Sequence, residues 1–93
     1  LVQHGFATII DAEKIGVNCK IFQQVTIGYN GCERPVIGDN VIVCAGAKIL
    51  GGITIGNNVI IGANAVVVKD VASNCVVGGV PAHFIKHTND NTK

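Results

Sequence analysis

The residues of this 93-residue chain that could carry acid–base chemistry are three histidines, His4, His83 and His87. Histidine is the usual general base in proteins because its side chain changes charge close to neutral pH. His4 is followed by glycine and precedes the regular part of the sequence, whereas His83 and His87 lie close together near a polar C-terminus. We therefore take His4 as the candidate base for removing a hydroxyl proton, and we expect the other two to be solvated. Glycine-rich backbone could supply N–H donors to a developing oxyanion.

The cysteines and the charge balance exclude several classes of protein. Cys19, Cys32, Cys44 and Cys75 form no C-x-x-C pair, which excludes a zinc ribbon and a thioredoxin motif. Cys19 and Cys44 lie among apolar residues, so we expect buried, reduced thiols in a cytoplasmic protein, and no metal site. The net charge of +1 argues against binding of nucleic acid or anionic membranes, and the apolar runs are too short to span a bilayer.

The elements that must position these residues are indicated by an aliphatic side chain at every sixth position. These residues are Ile9, Ile15, Ile21 and Ile27, followed by Ile37, Val43, Ile49, Ile55, Ile61 and Val67. Glycine often follows directly, and Asn40 and Asn58 stand where a turn would fall. A period of six fits neither a helix nor simple alternation, but it fits a short strand followed by a tight corner.

Three such units would form one triangular coil, and stacked coils would pair strand to strand. We therefore predict an all-β parallel β-helix with one aliphatic residue of each unit pointing to its axis. The residues predicted to be buried in the interior are Ile15, Ile21, Val43, Ile49, Ile55 and Ile61.

The period is interrupted once and then fades. From Ile27 to Ile37 the interval is ten residues instead of six, so the four extra residues must leave the coil in a loop around residues 29–35. Loops that leave a rigid scaffold are favoured places for function. Beyond Val71 we expect a last strand, a turn at Gly78–Gly79 and a tail, residues 83–93. We expect residues 1–93 to form a single domain. Because the chain opens on Leu1, the sequence leaves open whether another segment precedes it.

Four segments carry a resemblance to a known family. They are H-G-F-A-T-I-I (His4 to Ile10), Q-Q-V-T-I-G-Y-N-G (Gln23 to Gly31), C-A-G-A-K-I-L-G-G-I-T-I-G (Cys44 to Gly56) and V-G-G-V-P-A (Val77 to Ala82). They resemble the serine O-acetyltransferase branch of the hexapeptide-repeat acyltransferases. The resemblance implies that the β-helix is left-handed and that acetyl-CoA is the co-substrate. It also implies a homotrimer with its active sites at the seams between subunits.

The same resemblance implies roles for individual residues. It makes His4 the catalytic base, Arg34 the partner of a substrate carboxylate, and Asn30, Ala45, Gly46 and Ala63 the coenzyme A contacts. Two positions depart from the family pattern. Gln3 stands where the family has Asp before its catalytic His, and Glu33-Arg34-Pro35 replaces Arg-His-Pro. The acid that orients His4 is therefore left open, with Asp11, an upstream residue or a neighbouring chain as candidates.

The favoured function is transfer of an acetyl group from acetyl-CoA to the hydroxyl of L-serine, a step of cysteine biosynthesis. A sugar or cell-surface polysaccharide precursor is the alternative acceptor. A β-helical carbonic anhydrase would need three histidines on the coils for zinc, and at most one is available. A non-catalytic β-helix that serves only assembly is the last alternative. The family's N-terminal helical domain lies upstream of Leu1 or is absent, and a cysteine synthase partner is left open.

Overall fold

A computed structural model describes residues 9–28 and 33–87 of the chain. His4, Gln3 and Asn30 lie outside these ranges, so their predicted roles stay predictions. Over the described residues the chain forms short strands joined by tight turns, as the period of six predicts. The strands are β1 (Ile9–Ile10), β2 (Lys14–Ile15), β3 (Lys20–Ile21), β4 (Thr26–Gly28), β5 (Val36–Ile37), β6 (Ile42–Val43), β7 (Lys48–Leu50), β8 (Thr54–Ile55), β9 (Ile60–Ile61), β10 (Val66–Val67), β11 (Cys75–Gly78) and β12 (His83–His87).

The strands form three sheets, one for each side of a triangular prism. Sheet 1 has the order β1-β4-β7-β10, sheet 2 the order β12-β11-β9-β6-β3, and sheet 3 the order β2-β5-β8. All pairings between coils are parallel. Ile37 lies opposite Ile55 and Val43 opposite Ile61, so each step up a sheet advances eighteen residues. Across the loop, Ile15 lies opposite Ile37 instead, and the longer step accommodates the extra residues. The structure thus confirms the predicted triangular coil.

The core is the stack of inward-pointing aliphatic side chains along the axis. Five of the six predicted interior residues are at most 2% exposed: Ile21, Val43, Ile49, Ile55 and Ile61. Ile15 differs, because it is only half-buried and packs against the edge of this cluster. Its strand β2 is an edge strand of sheet 3, so no described coil covers it from the N-terminal side. Cys19 is buried as expected, but Cys44 is only half-buried because it faces outward directly after Val43.

The three corners of the prism are columns of turns that stack from coil to coil. Corner 1 joins sheet 3 to sheet 2 and contains residues 17–18, 39–40, 57–58 and 73–74. Corner 2 joins sheet 2 to sheet 1 and contains residues 23–24, 45–46 and 63–64. Corner 3 joins sheet 1 to sheet 3, and residues 33–35 lie at this corner. Left-handed backbone occurs at Asn18, Asn40, Asn58 and Asn74 of corner 1, and at Gln24, Gly46 and Asn64 of corner 2.

Side chains also connect successive coils at corner 1. The Val17 amide donates to Asp39 Oδ1 at 2.9 Å, and the Asp39 amide donates to Asn57 Oδ1 at 2.8 Å. The Asn57 amide in turn donates to Ser73 Oγ at 2.8 Å. Each of these side chains accepts a hydrogen bond from a backbone N–H of the coil above. The strand pairing of the sheets does not supply a partner for these N–H groups. The ladder thereby holds the coils in register at this corner.

Glycine is required where these ladders approach the backbone closely. A Cβ on Gly38 would lie 2.7 Å from the Gly56 carbonyl oxygen and would also collide with Asn57 Oδ1. Gly62 holds the equivalent place after Ile61, but there the nearest atom to an added Cβ is Val77 O at 3.4 Å. We expect Gly38→Ala to lower the free energy of unfolding by about 1–3 kcal/mol, as overpacking usually does, and Gly62→Ala to lower it far less. Urea denaturation of both variants measures the difference, and equal stabilities would contradict the close approach.

The C-terminal part differs from the sequence prediction. The first five residues of the predicted tail form β12, which pairs antiparallel with β11. Strand β11 also extends through Gly78, so the turn begins at Gly79 and does not lie at Gly78–Gly79. The turn is anchored to the last coil, because the Val66 amide donates to Gly79 O at 3.0 Å and the Ala82 amide donates to Val66 O at 2.8 Å. His83 and His87 are exposed on this strand, as predicted.

Candidate functional site

Corner 2 brings together three of the residues predicted to bind coenzyme A. Ala45 and Gly46 form one turn, and Ala63 lies in the turn of the next coil. The Gly46 amide donates to Gln23 O at 3.1 Å, and the Asn64 amide donates to Ala45 O at 3.0 Å, so the turns stack in one column. Ala45 and Gly46 are half-buried and Ala63 is exposed. Because the side chains are methyl groups or hydrogen, an extended ligand could reach the backbone of this column.

Gly46 has a specific reason to be glycine. Its φ is +76°, in the left-handed region that β-carbons disfavour. In addition, the space that a Cβ would occupy is taken by Oδ1 of Asn64 from the coil below. Lys48 is the first residue of β7, and its Nζ lies 3.4 Å from the Gly46 carbonyl oxygen. Corner 2 therefore combines accessible backbone with the carboxamides of Gln23, Gln24 and Asn64, and the Lys48 ammonium lies beside it.

Arg34 lies at corner 3, beside the segment that joins β1 to β2. Its Nε donates to Oδ1 of Asp11 at 2.6 Å, and the side chains of Arg34 and Asp11 are 46% and 39% exposed. Glu33 packs against Gly52 of the next coil, close enough that a Cβ on Gly52 would collide with it. Pro35 is buried where the loop re-enters the coil. The last residues of the loop are therefore fixed against the prism.

The structure therefore divides the predicted site residues between two corners. Ala45, Gly46 and Ala63 are at corner 2, Arg34 is at corner 3, and the strands of sheet 1 run from one corner to the other. Asp11, a candidate for orienting His4, is paired with Arg34 in this structure.

Sequence reasoning missed a groove between the last coil and the β11–β12 hairpin. Its volume is about 350 Å³, and aliphatic side chains such as Val67, Val71 and Val77 line it together with Phe84. Lys69, Asp70 and His83 also border it. The groove exists because β12 turns back along sheet 2 and leaves the end of the core partly open. The fading of the repeat after Val71 marks the place in the sequence, but it does not show that the chain turns back.

Across residues 9–28 and 33–87, histidine, cysteine, aspartate and glutamate form no group of three or more that could hold a metal ion. The same part of the chain contains no helix of the length and apolar character needed to cross a membrane.

The fold and the corner column define a class of protein. Residues 34–69 match the family described as bacterial transferase hexapeptide (six repeats). The β-helix is the left-handed parallel type built from hexapeptide repeats, which confirms the fold expected from the resemblance.

The relatives specify a branch of that class. The chain is 49% identical over 90 residues to a serine acetyltransferase of Staphylococcus xylosus, an alignment that covers 91% of this chain and 42% of the relative. The structure of a Neisseria gonorrhoeae serine acetyltransferase superimposes with a TM-score of 0.90 at 36% identity, covering 98% of this chain and 37% of the other. The same enzyme in complex with serine gives a TM-score of 0.82 at 38% identity, covering 89% and 36%.

These comparisons confirm the resemblance to the serine acetyltransferase branch of the hexapeptide-repeat acyltransferases. The chain spans about two fifths of the length of the curated relatives that it matches.

Proposed function

We propose that this chain is the β-helical catalytic region of an acetyl-CoA-dependent serine O-acetyltransferase of the cytoplasm. The observation that carries the proposal is the 49% identity with a serine acetyltransferase over 91% of the chain. The stacked turns of corner 2 support it, since they offer a column of accessible backbone to a long, flexible cofactor. The free thiols of Cys19, Cys44 and Cys75 are compatible with a reducing compartment.

The proposed chemistry is direct transfer without an acetyl-enzyme. His4 takes the proton of the serine hydroxyl while its oxygen attacks the thioester carbonyl of acetyl-CoA. The tetrahedral intermediate then collapses, the carbon–sulfur bond breaks, and the thiolate of coenzyme A recovers the proton from the imidazolium. Backbone N–H groups could stabilise the oxyanion, and this chemistry needs no metal. Ala45, Gly46, Ala63 and Asn30 are the proposed coenzyme A contacts.

Arg34 is the proposed partner of the serine carboxylate, and its ion pair with Asp11 would hold the guanidinium in place. We expect Arg34→Gln to raise KM for serine about tenfold to a hundredfold, because a charge-assisted hydrogen bond is lost. The free energy of unfolding should change by less than about 1 kcal/mol, since both partners are substantially exposed. Steady-state kinetics together with urea denaturation measure both quantities.

Asp11→Asn is the matched control for Arg34, because it breaks the same ion pair without removing the guanidinium. Its KM for serine should rise much less than that of Arg34→Gln. A KM for serine that stays at the wild-type value in Arg34→Gln would mean that Arg34 does not bind substrate.

The division of site residues between corners 2 and 3 supports a homotrimer with its active sites at the seams. In such an assembly the loop at 29–35 of one protomer would reach corner 2 of its neighbour, so that Arg34 and Gly46 meet across the seam. Light scattering at micromolar concentration should therefore show a trimer, or a larger assembly of trimers. A monomer that retains full activity would contradict this arrangement.

An acceptor screen tests the proposed function. Acetyl-CoA is supplied with L-serine or with a panel of sugars, and release of free coenzyme A thiol is followed. We expect release with serine and little with sugars. Release only with a sugar would favour the alternative acceptor class. No release with any hydroxyl acceptor would contradict the enzyme assignment and favour a β-helix that serves only assembly.

A further inference from the structure

Asn64 presents its carboxamide on the surface of corner 2. The backbone of Asn64 is in the left-handed region, with φ of +61°. Its backbone N–H donates a hydrogen bond to Ala45 O at 3.0 Å. The side chain is exposed. The backbone of Asn64 therefore holds the carboxamide in a defined place beside Ala45, Gly46 and Ala63.

Comparison with corner 1 shows what is unusual about this carboxamide. At corner 1, asparagines of successive coils stand above one another, and Asn58 Nδ2 donates to Asn74 Oδ1 at 3.1 Å. At corner 2 the residue above Asn64 is Gly46, which has no side chain to pair with it. Asn64 Oδ1 instead fills the space where a Cβ of Gly46 would lie. Within residues 9–28 and 33–87, the Asn64 side chain makes no hydrogen bond.

The carboxamide has two N–H donors and a carbonyl acceptor, so it matches the donor and acceptor of a secondary amide. The pantetheine arm of coenzyme A carries two such amides. If the arm follows the column of turns, as the proposed function requires, one of its amides passes Gly46 and the Asn64 carboxamide beside it. We propose that Asn64 is a coenzyme A-binding residue that hydrogen-bonds an amide of the pantetheine arm. This inference rests on the proposed function and adds a side-chain contact to it.

The test replaces Asn64 with glycine, since glycine adopts the left-handed backbone at no steric cost and keeps the turn intact. Calorimetry on the full chain measures Kd for two probes: coenzyme A, and the 3′-phospho-ADP half of coenzyme A, which lacks the arm. We expect Asn64→Gly to weaken coenzyme A binding about threefold to tenfold, as the loss of one neutral hydrogen bond does. Binding of 3′-phospho-ADP should be unchanged.

Asn40→Gly is the matched control, because Asn40 is also exposed, has φ of +57° and lies at corner 1. It should leave both Kd values at the wild-type level.

Three results would overturn the inference. Unchanged coenzyme A affinity in Asn64→Gly would mean that the carboxamide makes no contact. Equal weakening for both probes would mean that the substitution disturbs the corner as a whole. A wild-type protein that binds no coenzyme A would overturn the proposed function itself, and this failure is distinguishable because it appears before any substitution is made.

Discussion

Replacing His4 with alanine should lower kcat for acetyl transfer to serine by about 10²–10⁴, while the Kd for coenzyme A stays near its wild-type value. That range is what removal of a positioned general base usually costs. The two parameters separate because the imidazole would act on the serine hydroxyl and would make no binding contact with the cofactor. Steady-state kinetics give kcat, and calorimetry with coenzyme A gives the affinity.

The chain offers a matched control for His4. His83 is another histidine, it is exposed on β12, and its Nδ1 lies 3.2 Å from Pro81 O. His83→Ala should therefore keep kcat near the wild-type value. If His4→Ala turns over serine as fast as the wild type, His4 is structural and the base belongs to another residue.

The residue before His4, Gln3, should affect the strength of this base. An amide carries no charge, so Gln3 cannot stabilise an imidazolium as a carboxylate would. If no other acid orients His4, Gln3→Asp should raise kcat, and the increase should vanish in the double variant that also carries His4→Ala. Unchanged kcat in Gln3→Asp would indicate that a carboxylate from another position or another protomer already fills the role.

The coil architecture could be predicted from the sequence because it depends on one local rule repeated many times. Each unit needs an inward aliphatic residue and a corner residue that accepts left-handed backbone. Ile49 and Asn58 satisfy these requirements visibly in the sequence, and the structure places them as expected. The prediction that Ile15 is buried in the interior was wrong, because burial requires a neighbouring coil on each side. The repeat pattern does not show which coil lies at the edge of the described stack.

The candidate site was less predictable because its contacts join residues from different coils. The ion pair between Arg34 and Asp11 spans 23 positions, and the aliphatic repeat gives no sign of it. Asn64 looks in sequence like any other corner asparagine, and only stacking reveals that its neighbour above is Gly46. The return of β12 along β11 was missed for a similar reason, since its antiparallel pairing breaks the rule that governs the rest of the chain.

The last prediction concerns the axis of the prism. Val43 is fully buried on β6, between Ile21 of β3 and Ile61 of β9. Val43→Asp should lower the free energy of unfolding by several kcal/mol, because the carboxylate would lose its hydration and find no partner among aliphatic side chains. A loss of that size is a large share of the roughly 5–15 kcal/mol by which most domains are stable, so we expect the variant to be largely unfolded. Circular dichroism and urea denaturation measure the effect.

Two comparison variants keep the Val43 prediction testable even where the aspartate variant does not fold. Val43→Thr preserves the shape and buries only a hydroxyl, so it should fold with a loss of about 1–3 kcal/mol. Val17→Asp places the same charge on a side chain that is 65% exposed at corner 1, where the change in stability should stay within about 0.5 kcal/mol. The order of stabilities should therefore be Val17→Asp, Val43→Thr, Val43→Asp. A Val43→Asp protein as stable as Val17→Asp would mean that residue 43 faces solvent, and the inward positions of the six-residue repeat would then be assigned to the wrong face.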